Sequence, residues 1–175
     1  MLDRWAPWYQ GEPDVIRNYG PAESYTLAAR FLSGLAVEDW GCGQGAFRQY
    51  HDGPYVGVDG TLAQGGCDVQ ADLTEYRSQT EGLLMRHVLE HNHEWERVLA
   101  NAVLSYTRRM VIVLFMPTDH VTRVVHEDVA GLGVPDIAFR LEDVLQPIIH
   151  SDPEPAEVSY VVLDSLETMI YAERA

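Results

Sequence analysis

A turn with three glycines at alternate positions is the first place in the sequence where residue types and spacing suggest chemistry. The stretch VEDWGCGQG runs over residues 37–45 and places Gly41, Gly43 and Gly45 directly behind a short apolar and acidic segment. Glycine lacks a Cβ atom, so such a turn can adopt unusual dihedral angles and let a ligand touch the main chain. The turn therefore predicts close contact between the backbone and a bound molecule.

Two acidic side chains later in the chain could bind the same molecule. Asp59 ends the segment YVGVD, and Asp72 precedes Leu73 in the segment ADL. A carboxylate has two oxygens, so one side chain can accept hydrogen bonds from both hydroxyls of a ribose. Asp59 is therefore a candidate ribose ligand, for an adenosine or for a nicotinamide nucleotide.

Strand and helix patterns alternate around these residues. Strands are predicted over 35–40, 55–59, 68–71, 83–86 and 109–117, and the last of these is an uninterrupted apolar run, typical of a buried parallel strand. Helices are predicted ahead of the first strand, after the glycine turn, and over 94–106 and 139–148. Open α/β sheets bind ligands at the carboxyl ends of their strands, where the glycine turn and Asp59 would both lie.

The end of the chain departs from this alternation. Two strand-like segments, 156–164 and 167–173, follow each other too closely for a crossover helix, which predicts an antiparallel hairpin. We therefore expect an α/β fold with a Rossmann-like, doubly wound sheet that is mostly parallel and carries an antiparallel C-terminal hairpin strand.

The length of 175 residues fits a single domain. Residues 1–20 are rich in Trp, Tyr, Pro and Gly, which predicts an irregular arm or lid, with Tyr9 or Tyr19 able to close over a site. The pattern weakens over 118–136, which we interpret as an insertion on the substrate side.

The charge balance limits the classes of partner. All 12 basic residues are Arg, against 27 acidic residues, for a formal net charge of -15. This charge disfavours nucleic acid, because such binding relies on Lys and Arg displacing counterions, and it favours a small molecule or a basic partner. The absence of Lys excludes Schiff-base chemistry and the P-loop lysine. With no signal peptide pattern and no apolar run of membrane-spanning length, we expect a cytoplasmic protein that is not bound to a membrane.

In this order, the segments resemble the motifs of class I S-adenosylmethionine-dependent methyltransferases. VEDWGCGQG resembles the first motif, GVDG the second, ADL the third, and HVLEH the segment after the fourth strand. The match covers residues 37–117 motif by motif and the remainder by element order alone. The resemblance implies a seven-stranded sheet, S-adenosylmethionine as the cofactor, and cofactor binding by Asp39, Gly41, Gly43, Gly45, Asp59, Asp72 and Leu73.

The resemblance also implies individual roles for the acids. Asp39 would anchor the glycine turn or reach the ammonium group of the ligand through water. Asp59 would accept from both ribose hydroxyls, and Asp72, with the backbone of Leu73, would receive the adenine amino group.

Methyl transfer from a sulfonium needs mainly in-line positioning, exclusion of water and, for an oxygen or nitrogen acceptor, removal of a proton. His87 follows the fourth predicted strand and is our first candidate for a base or acceptor-orienting group. His120 follows the fifth strand and is the second. Some branches of the family bind a divalent cation through E-x-x-E-H at the place of HVLEH, but His87 replaces the first Glu here, and we predict no metal site.

Two other functions remain open at this point. With Ala46 the glycine turn also satisfies G-x-G-x-x-A, which would suit an NAD(P)-dependent oxidoreductase of Rossmann type. The absence of an obvious catalytic pair would suit a non-catalytic domain that binds S-adenosylmethionine.

Overall fold

The structure is a computed structural model that describes residues 2–7, 22–62 and 66–175. Tyr9 and Tyr19, and with them most of the predicted arm, lie outside the described residues. A lid function for the arm therefore stays a prediction.

A seven-stranded sheet forms the centre of the molecule, in the order β3-β2-β1-β4-β5-β9-β8. Its strands are β1 (Val37–Trp40), β2 (Tyr55–Asp59), β3 (Val69–Gln70), β4 (Thr80–Arg86), β5 (Tyr106–Leu114), β8 (Glu157–Val162) and β9 (Thr168–Glu173). The pairs among β1 to β5 are parallel, while β9 runs antiparallel to both β5 and β8. The predicted mostly parallel sheet and its antiparallel hairpin are thus confirmed.

In the described ranges, three α-helices flank the sheet: α1 (Ala22–Phe31), α2 (Trp95–Ser105) and α3 (Leu141–Ile149). The helix predicted after the glycine turn is only a short 3-10 helix, Ala46–Gln49, because Gly53 and Pro54 follow too soon for a longer one. No helix in the described part of the chain has the length and apolar character needed to cross a bilayer.

The predicted insertion contains a small separate sheet. Strands β6 (Arg123–His126) and β7 (Asp136–Ala138) pair antiparallel. The segment just before β7 includes Val134 and Pro135, both buried.

The core lies on both faces of the sheet, as an uninterrupted apolar strand predicts. Met110 and Ile112 of β5 pack in the cluster that includes α2 and α3, whereas Val111 and Val113 pack in the cluster that includes α1. Because helices cover both faces, the polar groups that could bind a ligand are left at the strand ends.

Candidate active site

The glycine turn after β1 has the backbone that its sequence predicts, with φ values of 71° at Gly41, 53° at Gly43 and 71° at Gly45. A Cβ atom at Gly41 would lie 2.4 Å from Val88 Cγ2, and one at Gly45 would lie 2.8 Å from the carbonyl oxygen of Gly66. Two of the glycines are therefore required by the packing of the chain itself. Gly41 and Gly43 line a cleft at the carboxyl ends of the strands, and Gly45 does not.

Asp59, at the end of β2, ties this turn to the cleft wall. Its Oδ2 accepts a hydrogen bond from the main-chain N–H of Gly43 at 2.9 Å, and its Oδ1 accepts one from that of Thr61 at 2.9 Å. The side chain is buried, and this burial raises the pKa of Asp59, while the main-chain donors act in the opposite direction. Each oxygen keeps a further lone pair that a ligand hydroxyl could use.

Asp39 is buried in β1 and is not among the residues that line the cleft. The hydroxyl of Tyr55 donates to its Oδ2 at 2.8 Å. Burial raises the pKa of Asp39 to about 7, with a smaller contribution in the same direction from the charge of Asp59. Asp39 thus supports the turn from beneath, which fits an anchoring role better than direct contact with a ligand.

Asp72 and Leu73 both line the cleft on the side of β3. Oδ1 of Asp72 accepts from the main-chain N–H of Thr74 at 3.0 Å and from its hydroxyl at 2.7 Å. These bonds fix the direction of the carboxylate next to the apolar side chain of Leu73.

The described N-terminal segment lies along the same cleft. The main-chain N–H of Asp3 donates to the carbonyl oxygen of Gly60 at 2.8 Å, and the Arg4 guanidinium donates to that of Gly133. Arg4 and Trp5 both line the cleft, together with Val134 from the insertion. The remaining lining residues include Tyr25, Gln44, Ala46, Gly60, Ala71, Arg86, His87, Val88, His91 and Asn92.

His87 lines the cleft directly after β4 and has a positive φ of 57°. Its Nε2 donates to Oε1 of Glu167 at 2.7 Å. Burial lowers the pKa of His87, and the hydrogen bond to Glu167 opposes that effect. The neutral ring is therefore held in one orientation by the carboxylate of Glu167, which directly precedes β9.

Glu167, just before β9, is the centre of a buried polar network. Its Oε1 lies 2.7 Å from Arg86 Nη2, and the Ser24 hydroxyl donates to the same oxygen at 3.3 Å. Burial alone would raise the pKa of Glu167, but the hydrogen bond from His87 and the charge of Arg86 hold it below its usual value. This network therefore connects helix α1, strand β4 and the start of strand β9 behind the cleft.

His91 is 8 % exposed and also lines the cleft. Its Nδ1 lies 3.0 Å from the carbonyl oxygen of Pro135 and 3.3 Å from Oδ1 of Asp136. The ring stacks on Phe115 and meets the edge of Trp5, with ring centroids 5.3 and 5.0 Å away. Its Nε2 is buried without a hydrogen-bond partner in the described structure.

His120 is exposed and does not line the cleft. It follows Asp119, whose side chain accepts from the main-chain N–H of His120 and from Arg123. The structure therefore brings the first predicted catalytic histidine to the cleft and leaves the second outside it.

No family model matches the sequence, and no curated protein matches it either. Solved structures do match over nearly the whole chain. A 1,6-didemethyltoxoflavin-N1-methyltransferase from Burkholderia thailandensis, with S-adenosylhomocysteine bound, superposes with a TM-score of 0.70 at 17% identity, over 98% of this chain and 85% of that one.

A second match is magnesium protoporphyrin IX methyltransferase from Synechocystis, with a TM-score of 0.58 at 16% identity, over 99% of this chain and 94% of that one. An S-adenosylmethionine dependent methyltransferase from Mesorhizobium loti gives 0.60 at 15% identity, over 89% and 99% of the two chains. The chain has the class I S-adenosylmethionine-dependent methyltransferase fold. The antiparallel β9 between β5 and β8 belongs to this methyltransferase fold and differs from the purely parallel sheet of the dinucleotide-binding fold.

The cleft of this methyltransferase fold has groups suited to each part of S-adenosylmethionine. Gly41 and Gly43 line the cleft, where the methionine portion could pack against them, and Asp59 offers paired acceptors for a ribose diol. Leu73 and Val88 are apolar surfaces for a flat base, and Asp72 is an acceptor beside them. The described residues contain no group of three His, Cys, Asp or Glu side chains arranged to hold a metal ion.

Glu167, which lies behind the cleft, and His91, which lines it, were not predicted as site residues from the methyltransferase motifs. No sequence motif indicates the contact between Glu167 and His87, because the two residues are far apart in sequence and meet only through the pairing of β9 with β5. His91 was visible within HVLEH, but the carbonyl oxygen of Pro135 that orients its ring could not be read from a motif.

Proposed function

We propose that this protein is an S-adenosylmethionine-dependent methyltransferase that acts on a small-molecule acceptor at oxygen or nitrogen. The observation that carries the proposal is the buried Asp59, joined to the glycine turn through Gly43 on the wall of a cleft in a methyltransferase fold. A buried carboxylate with acceptor capacity at this place suits a ribose, as the sequence motif also predicts.

Each part of the cofactor would be bound by different residues of this chain. Asp59 binds the ribose, Asp72 and Leu73 bind the adenine, and Gly41 and Gly43 contact the methionine portion through their main chain. Asp39 and Gly45 support the turn. The cofactor supplies a methyl group on a sulfonium. The protein positions the acceptor, excludes water and removes the acceptor's proton.

His87 remains our candidate for orienting the acceptor, because it lines the cleft and its ring is held by Glu167. His120 stays a weaker proposal, since a movement of the segment after β5 would be needed to bring it into contact. The cleft, which combines apolar walls with a few polar groups, and the strongly acidic chain support a small molecule over nucleic acid. Similar structures are named for methylation of 1,6-didemethyltoxoflavin and of magnesium protoporphyrin IX, which supports the same acceptor class. A cytoplasmic location stays a prediction.

A ligand comparison tests the cofactor. The melting temperature of the protein is measured with S-adenosylhomocysteine, NAD and NADP, because a ligand that binds only the folded state raises it. The proposal predicts a rise with S-adenosylhomocysteine alone. A rise with NAD or NADP alone would favour the oxidoreductase, and cofactor binding without transfer to any acceptor of a broad panel would favour a non-catalytic domain.

A further inference from the structure

Within the part of the chain that the structure describes, the Nε2 atom of His91 is a buried polar atom without a hydrogen-bond partner, on a side chain that lines the cleft. A buried acceptor without a hydrogen bond costs about 1–3 kcal/mol, so such atoms are rare and call for an explanation. The ring cannot turn to relieve it, because Phe115 stacks on one side and the Nδ1 atom is already held.

The hydrogen-bond partner of Nδ1 decides which nitrogen carries the proton. The carbonyl oxygen of Pro135 can only accept, so Nδ1, at 3.0 Å from it, must be the donor. Burial lowers the pKa of His91, against smaller opposite effects from Pro135 and Asp136, so the ring is neutral near pH 7. A neutral imidazole with its proton on Nδ1 has a lone pair on Nε2.

The surroundings of the ring would stabilise a proton that arrives at Nε2. Asp136 Oδ1 lies 3.3 Å from Nδ1, and the other oxygen of this carboxylate lies 3.1 Å from Nδ1 of the exposed His126. Among the described residues, Asp136 from β7 contacts His91, and His87 lies near enough for the two rings to interact electrostatically. Arg4 lines the same cleft, and the buried Glu90 directly precedes His91 in the chain. Glu90 is itself held by the main-chain N–H of Phe115 at 2.6 Å.

We propose that His91 is the catalytic base and that Asp136 and the Pro135 carbonyl position it, which rests on the function proposed above. The acceptor's O–H or N–H group donates to Nε2 of His91. During transfer that bond breaks, its proton moves to Nε2, and the acceptor's oxygen or nitrogen forms the new bond to the methyl carbon. The methyl–sulfur bond breaks with its electron pair left on sulfur, so a neutral thioether and an imidazolium result.

The aromatic and apolar residues of the cleft indicate the shape of the acceptor. The rings of Trp5 and His91 meet edge to face, and Tyr25, Val88 and Val134 line the same cleft. A planar ring that carries a hydroxyl or a ring N–H would pack among these side chains and place its donor at Nε2. Because Nε2 is buried and Trp5 packs against the same ring, Trp5 and its short N-terminal segment would move aside to let the acceptor reach Nε2.

The protonation state can be measured without any substrate. A long-range proton–nitrogen NMR spectrum of the histidine rings, recorded over pH, distinguishes a protonated from a bare ring nitrogen, and the signals that His91→Gln removes belong to His91. We expect a proton on Nδ1, a bare Nε2 and a pKa below the ordinary histidine value. A proton on Nε2 near pH 7 would overturn the proposal.

The role in transfer is tested with a panel of phenols and N–H heterocycles as probe acceptors. His91→Ala should lower kcat by about 100-fold or more, as expected for loss of a general base, and added imidazole should restore part of it. Asp136→Asn should lower kcat and shift the pH profile while leaving S-adenosylhomocysteine affinity unchanged. His93→Gln is the matched control, because His93 is exposed on the same segment, and it should leave kcat unchanged.

Different experimental results would refute the assignment of His91 and the proposed methyltransferase function. A folded protein that does not bind S-adenosylhomocysteine refutes the function, whatever the protonation state of His91. If the wild type binds it and methylates a probe, but His91→Ala keeps a wild-type kcat and pH profile, only the assignment of His91 is refuted. Transfer solely to acceptors without a proton to lose would refute it too.

Discussion

Nε2 of His87 donates a hydrogen bond of 2.7 Å to Oε1 of Glu167, which joins the residue after β4 to the residue before β9. The same carboxylate oxygen pairs with Arg86, so one buried acid holds two residues that line the cleft. In the methyltransferase fold β9 lies beyond β5, and this contact therefore links the antiparallel part of the sheet to the site.

Replacing Glu167 with Gln should destabilise the protein strongly. The substitution removes the negative charge that pairs with the buried Arg86 at 2.7 Å, and breaking a buried ion pair typically costs about 3–5 kcal/mol. Urea denaturation should show a fall of that order in the free energy of unfolding. Glu94→Gln is the control, because the Arg97–Glu94 pair is exposed and should contribute about 0.5 kcal/mol or less. Equal effects of the two substitutions would contradict the structural role given to Glu167.

Replacing Gly41 with Ala should be more damaging than the same change at Gly34. Both glycines have a positive φ, 71° and 77°, so both substitutions introduce backbone strain. Only at Gly41 would the new Cβ meet another atom, Val88 Cγ2 at 2.4 Å, whereas nothing lies within 4 Å of it at Gly34.

The crowding at Gly41 should add about 1–3 kcal/mol to the loss of stability and should also weaken cofactor binding. The midpoints of urea unfolding for the two variants measure the difference. If they coincide, the close approach of Val88 is not a constraint on the turn.

Asp39 should make stability depend on pH in a predictable direction. Its pKa is about 7 in the folded protein, against an ordinary value of 3.8, so between these values the folded state binds more protons than the unfolded one. The contribution of Asp39 to stability therefore falls as pH rises through this window, by up to about 1.4 kcal/mol per pH unit.

Asn at position 39 cannot titrate but can still accept from Tyr55. The free energy of unfolding of Asp39→Asn, relative to wild type, should therefore rise steadily between about pH 4 and pH 7. Asp52→Asn, at an exposed site, should follow the wild-type curve. Parallel curves for Asp39→Asn and wild type would show that Asp39 is ionised normally.

Local patterns were sufficient to predict most of the sheet and to predict that the glycine turn and Asp59 meet at the carboxyl ends of the strands. The apolar runs predicted β5 as a strand covered on both faces, and the acid at the end of YVGVD predicted the position of Asp59. These features depend on residues that are close in sequence, or on strand ends that a parallel sheet must bring together.

The surroundings of His87 and His91 were harder to predict, because their geometry depends on contacts between distant segments. Glu167 reaches His87 only after β9 inserts between β5 and β8, and Pro135 reaches His91 only after the small sheet forms. His120 was expected at the cleft from its place after β5, but the chain between Leu114 and β6 carries it to an exposed position.

The most direct test of the cofactor site is calorimetric titration of the wild type, Asp59→Ala and Asp52→Ala with S-adenosylhomocysteine. The wild type and Asp52→Ala should bind with equal affinity, and Asp59→Ala should bind about 100-fold more weakly, because two hydrogen bonds to a charged acceptor are lost. A folded wild type that takes up no S-adenosylhomocysteine, or an Asp59→Ala variant that binds as tightly as wild type, would contradict the assignment of this cleft.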